Sequence, residues 1–176
     1  MISEKELQSR AEFFSKHLFG IKYRGNIFYV SKTVEDDYTG KEIKNPYLGS
    51  FCHNDDPWDL DLDTDDYGDC SQYDEYLEYI PAYANCDIEI SDKLANDVLR
   101  LNDVLLHELI HFILWYQGLD YMDGQKQFED TLKKYGITSN YGSVFNTVTK
   151  KWEYEIDTNQ MQKYEDMYQD YIKKGN

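Results

Sequence analysis

The chain has 176 residues, 41% hydrophobic and 16% aromatic, which fits one packed domain and excludes wholesale disorder. It carries 34 acids against 18 Lys and Arg, a net charge of −16, so it offers no basic footprint for nucleic acid. No apolar run approaches the roughly 18 residues of a membrane span, the start MISEKELQSRAEFF has no leader pattern, and Cys52, Cys70 and Cys86 form no CxxC pair and are too scattered for a disulfide framework.

The first predicted helix opens at Ser3, with Glu6 three residues later as a capping box. Leu7, Ala11, Phe14 and Leu18 follow at helical spacing until Gly20. A strand is expected at Asn26–Val30 after Gly25, and a second at Leu48–Cys52 after Pro46. Thr33 to Asn45 between them reads as a hairpin loop. Residues 54–79 hold eleven of the 34 acids and no Lys or Arg, so much of the charge is one acidic insertion. Asn85–Ile90 alternates as an edge or half-buried strand would. Ser91 and Asp92 begin a long helical region through Tyr116, stopped by Gly118. A short amphipathic helix is predicted at Gln125–Tyr135, a strand pair or extended segment at Val144–Ile156, and a terminal helix at Asn159–Lys173. The pattern is α+β, and no internal repeat occurs.

The chemistry concentrates in Leu105-Leu-His107-Glu108-Leu-Ile-His111-Phe, an HExxH pattern. Residues four apart on a helix share a face about 6 Å apart along the axis, so His107 and His111 can converge on one Zn²⁺. Glu108 lies about 100° round from His107 and can act as general base toward water. The same helix is otherwise apolar, and burying two histidines and a glutamate in it is costly without a partner such as a metal. Chance alone gives about 0.007 such motifs in a chain of this composition, which favours a metal helix over a core helix with incidental polar residues.

A catalytic zinc takes a third protein ligand. The remaining histidines, His17 and His53, both precede the motif. Asp120 and Asp123, in Gly118-Leu-Asp-Tyr-Met-Asp-Gly-Gln, lie where the chain turns off the helix. Either carboxylate could fold back, or either could be an ordinary turn aspartate.

From Asp87-Ile-Glu-Ile-Ser, through Asp103-Val-Leu-Leu-His-Glu-Leu-Ile-His-Phe, to Gln127-Phe128 and Lys134-Tyr-Gly136, the chain resembles the SprT-like metallopeptidase domain. The resemblance extends more weakly over residues 3–140, with 141–176 as a C-terminal extension, helical at its end. It implies a small zincin-like fold, with a short sheet packed on the HExxH helix, and a zinc protease; the lack of a leader pattern makes a cytoplasmic protein the expectation. The implied metal ligands are His107, His111 and the residue in the turn before Phe128, where the family has a histidine and this chain has Asp123. Glu108 is the implied catalytic base. The substrate it implies is a protein, DNA-linked in the family's best-known members, whereas the acidic charge argues against direct nucleic-acid binding and the lack of an apolar span against a membrane. The family's zinc ribbon has no counterpart here. The rival function is an acidic, nucleic-acid-mimicking module that binds or inhibits a basic protein, with a structural or vestigial metal site.

Other features are weaker. A run from Asp61 has aspartates at calcium-loop positions one, three and five, but it lacks the glycine at six and puts Gln72 where a bidentate Glu belongs. The default for it is a solvated acidic loop. Trp115 is expected either to wall the pocket or to join the core. His53 and Tyr154 are candidates for stabilising the transition state.

Overall fold

Ser3 caps the first helix as its sequence requires, its hydroxyl accepting the Glu6 N–H at 3.3 Å. Helix α1 (Glu4–Phe19) ends at Gly20 with φ 75°, a left-handed closure that glycine adopts without steric cost. In the computed structural model the described residues are 1–30, 33–35, 42–44, 48–53, 86–141, 144–146, 151–153 and 155–175. The acidic insertion 54–79 with its calcium-like run, Cys70 and Tyr154 lie outside them.

Three strands form one mixed sheet: β1 (Asn26–Val30), β4 (Gly49–His53) and β5 (Cys86–Ser91), in the order β1-β5-β4. The pairing of β1 with β5 is parallel and that of β4 with β5 antiparallel. Within the 33–45 segment, β2 (Thr33–Glu35) pairs antiparallel with β3 (Glu42–Lys44). A further antiparallel pair joins β6 (Val144–Asn146) to β7 (Lys151–Glu153), within the expected extended segment.

The alternation at 86–90 does mark a half-buried strand, but β5 is central rather than an edge. Ile88 and Ile90 are fully buried on one face. On the other, Asp87 accepts from Asn26 Nδ2 at 2.9 Å and Glu89 accepts from Ser50 Oγ at 3.2 Å. Alternation therefore reports a sheet covered on one face, and it says nothing about strand order.

The long helix also begins later than Ser91. Asp92–Leu94 forms a 3-10 turn, and α2 runs Val98–Tyr116. Asp97 competes for helix N–H groups as short polar residues do, and its carboxylate caps the Arg100 N–H at 3.2 Å. Leu101, Leu105, Leu106, Leu109, Ile110 and Phe112 of α2 are wholly buried. Each such burial contributes about 1.5–3 kcal/mol, which offsets the cost of the polar groups this helix also carries inside.

Helices α3 (Lys126–Tyr135) and α4 (Thr158–Lys173) complete an α+β fold. Met161, Tyr164 and Tyr168 of α4 join the same core as α1 and α2. Between these three helices sits buried Arg10, ion-paired with Glu165 and hydrogen-bonded to Asn102 at 3.2 Å. Among the described residues no helix is long and apolar enough to cross a membrane.

Candidate metal centre

Helix α2 presents His107 and His111 one turn apart, and the turn that follows brings Asp123 back onto them. The Asp123 carboxylate lies 3.2 Å from His107 Nε2 and 3.9 Å from His111 Nε2. One ligand atom from each of the three residues lies within 4.8 Å of the others. Gly124, φ 80°, lets the chain double back immediately after Asp123. The turn is then pinned by the Gly124 N–H to Glu129 at 2.9 Å and by Asn140 Nδ2 to Asp123 at 3.0 Å.

Backbone carbonyls orient both imidazoles. His107 Nδ1 lies 2.9 Å from the Thr138 carbonyl and His111 Nδ1 lies 2.5 Å from that of Tyr121. A carbonyl only accepts, so each Nδ1 carries the hydrogen, and a neutral ring in this orientation has its Nε2 lone pair free for the Asp123 side of the cluster. Despite their 3.2 Å separation, buried His107 Nε2 and Asp123 Oδ1 have no hydrogen-bond partner among the described residues. With the ring neutral, two buried acceptors face one another, and either a proton on Nε2 or a cation between them satisfies both. Donors 2.0–2.2 Å from a tetrahedral zinc stand about 3.3–3.6 Å apart; the His107–Asp123 separation of 3.2 Å is close to this, and the 3.9 Å of His111–Asp123 is somewhat wider. Phe128, fully buried, stacks on His111 with centroids 4.1 Å apart and closes the apolar side of the cluster.

Glu108 is buried beside this cluster and accepts a hydrogen bond from the Phe51 backbone N–H of β4. Gly49 permits the approach: a Cβ there would meet Glu108 Oε1 and Val104 Cγ1 at 2.7 Å each. Burial pushes the Glu108 carboxyl up to about 7, against the opposing pull of His107. Burial, with the charge of His107, brings His111 down to about 4. Burial also works against a charged His107, but Asp123 and Glu108 outweigh it and raise its pKa. Asp123 is lowered, its partial burial overcome by His107. Without a metal, a proton is therefore favoured where the cation would sit. A pocket of about 340 Å³ opens along α2 beside Glu108.

The other sequence candidates fall elsewhere. Asp120 is exposed and outside the cluster, so Asp123 is the turn aspartate that meets the histidines. Trp115 is buried against Phe51 and Phe112, which is its core alternative. His53 sits over Trp115 at 5.0 Å, with Nε2 3.1 Å from the Tyr121 hydroxyl, away from the pocket lining. Cys86 is buried, its thiol pushed up to about 12 by burial, and Cys52 is exposed.

The Thr138 and Tyr121 carbonyls, Asn140 and Gly49 were not singled out from sequence. The carbonyls leave no trace in residue type, whereas a glycine inside a predicted strand is a sign of close backbone approach. No family model, curated protein or solved structure matches the chain.

Proposed function

We propose that this chain is a zinc metallopeptidase of the SprT-like, zincin-like kind, hydrolysing peptide bonds of a protein substrate in the cytoplasm. One observation carries the proposal: His107 Nε2 and Asp123 Oδ1 are buried, face each other, and lack hydrogen-bond partners, with His111 alongside. His107, His111 and Asp123 would hold the zinc, which when bound supplies Lewis-acid activation of water and of the scissile carbonyl. Thr138 and Tyr121 fix the imidazole tautomers, the partner role that orients metal-ligating histidines. Glu108 takes the proton from the attacking water and returns it to the leaving amine. The Phe51 N–H holds its carboxylate in place for both transfers.

A second reading draws on the eleven acids of 54–79, which produce a local negative field suited to a basic, nucleic-acid-associated protein. In the peptidase reading that field recruits substrate; in the rival one it is the function and the metal site is vestigial. The two separate on Glu108→Gln. Zinc-loaded full chain should cleave an unfolded basic protein, and both Glu108→Gln and a chelator should remove that cleavage. Equal cleavage by the variant would sink the peptidase reading. An unchanged cellular phenotype with Glu108→Gln would favour the binding module.

A further inference from the structure

The pocket beside Glu108 runs along α2 toward its N-terminus, where Arg100 lines its far end. Arg100 precedes His107 by seven residues, so it lies two turns back on the same helix face and about 10 Å away along the axis. Leu48, Val104 and Ile156 supply apolar walls between the two ends. A volume of about 340 Å³ is ample for one side chain and falls in the range of small-ligand pockets.

The charges in this pocket are unevenly committed. Asp103 is buried and spends its carboxylate on the Thr138 N–H at 3.0 Å. Glu108 is held by the Phe51 N–H. Arg100 is only half-buried, and its guanidinium forms no ion pair or hydrogen bond among the described residues. It also stands in the first turn of α2, where a cation opposes the helix dipole, so helix stability does not explain it. The charge of Arg100 is felt by buried Asp103, but in a chain of net charge −16 a guanidinium lining this pocket without a direct ion pair among the described residues is a local exception.

We propose that this pocket takes the substrate side chain adjoining the scissile bond, and that Arg100 selects a carboxylate there. The inference rests on the peptidase reading above. The group selected is a glutamyl or aspartyl side chain, or the C-terminal carboxylate of a short peptide. A guanidinium fork suits a carboxylate, with two parallel N–H donors, and the apolar walls suit the methylenes behind it. The preference concerns one side chain, so it is compatible with a substrate of any overall charge.

The test uses zinc-loaded full chain and short peptides that differ at one position, Glu, Gln, Leu or Lys, each as C-terminal amide and free acid. Binding is read by fluorescence anisotropy and cleavage by chromatography. Wild type should favour Glu over Gln at least tenfold in binding and in kcat/KM. Arg100→Gln should erase that preference, Arg100→Lys should restore part of it, and Arg100→Glu should turn it toward Lys. If the free acid is favoured and the Glu amide is not, the terminal carboxylate is the group selected. Equal handling of Glu and Gln by wild type, or a preference that survives Arg100→Gln, overturns the inference. Cleavage without preference fails the pocket alone. Arg100-dependent binding of the Glu peptide with no cleavage fails the peptidase reading and leaves the pocket standing.

Discussion

Helix α2 carries two buried polar clusters, and they are built on opposite terms. Near its start, Asn102 joins Arg10 and Glu165 in a network where each side chain is served. Arg10 donates to Glu6, Asn102 and Glu165, and Glu165 also accepts from Asn102 at 2.9 Å and Gln169 at 2.8 Å. Arg10 further lies over the Tyr168 ring, 4.3 Å from its centroid. One and two turns on, His107, His111 and Asp123 are equally well positioned, yet His107 Nε2 and Asp123 Oδ1, buried and facing each other, have no hydrogen-bond partner among the described residues. A satisfied buried network rigidifies a fold. Lone pairs gathered without a donor mark a place where the fold gives up stability for a ligand.

The comparison is broken most severely by removing a proposed metal ligand. His107→Ala or His111→Ala should weaken zinc binding by more than about 100-fold in competition with a chromophoric chelator, whereas Arg10 and Glu165 variants should leave it unchanged. A variant lacking either histidine but keeping wild-type affinity would remove that residue from the centre.

Stability should respond the other way round. Arg10→Ala or Glu165→Ala strands a buried charge and should cost about 3–5 kcal/mol in urea unfolding. A loss below about 1 kcal/mol would mean that the network is as loosely held as a surface pair.

Glu108→Gln sharpens the contrast, because here the active group is the strained one. Its carboxyl sits at about 7 in the folded chain against an ordinary 4.5, raised chiefly by burial. For an acid with a raised folded pKa, the favourable contribution is present below pH 4.5 and is lost as pH climbs through 7. The metal-free variant should therefore be more stable than wild type at pH 8, by at most on the order of 3 kcal/mol, and gain nothing at pH 4. Equal destabilisation at both pH values would contradict the burial argument.

Gly49→Ala should cost about 1–3 kcal/mol, because its Cβ would land 2.7 Å from Glu108 Oε1 and Val104 Cγ1. Thermal melts of this variant beside wild type check it. The smallest effect is expected from Asp120→Asn, which should bind zinc as wild type does, since Asp120 is exposed and outside the cluster.

Much of this was written locally in the chain. The Ser3 cap, the left-handed Gly20 and Gly136, and the HExxH spacing each depend on residues a few positions apart, so periodicity and turn chemistry reveal them. Asp120 and Asp123 look alike in sequence; only the fold-back after Gly118 and Gly124 shows which one reaches the histidines. The central place of β5 depends on β1, 61 residues away at every register pair, and on β4, 33 to 41 residues away, and alternation carries no such information. Thr138 acts through its carbonyl and Gly49 through a missing Cβ, and neither role follows from a motif.

The central claim is that the unpartnered atoms of His107 and Asp123 are metal ligands, with His111 completing the set. X-ray absorption at the zinc K-edge, on full chain loaded with one equivalent, tests it most directly. The account predicts a nitrogen and oxygen shell at about 2.0–2.1 Å, with outer scattering from two imidazoles and none from sulfur. A shell containing sulfur, a shell without imidazole, or failure to take up one zinc per chain would contradict it.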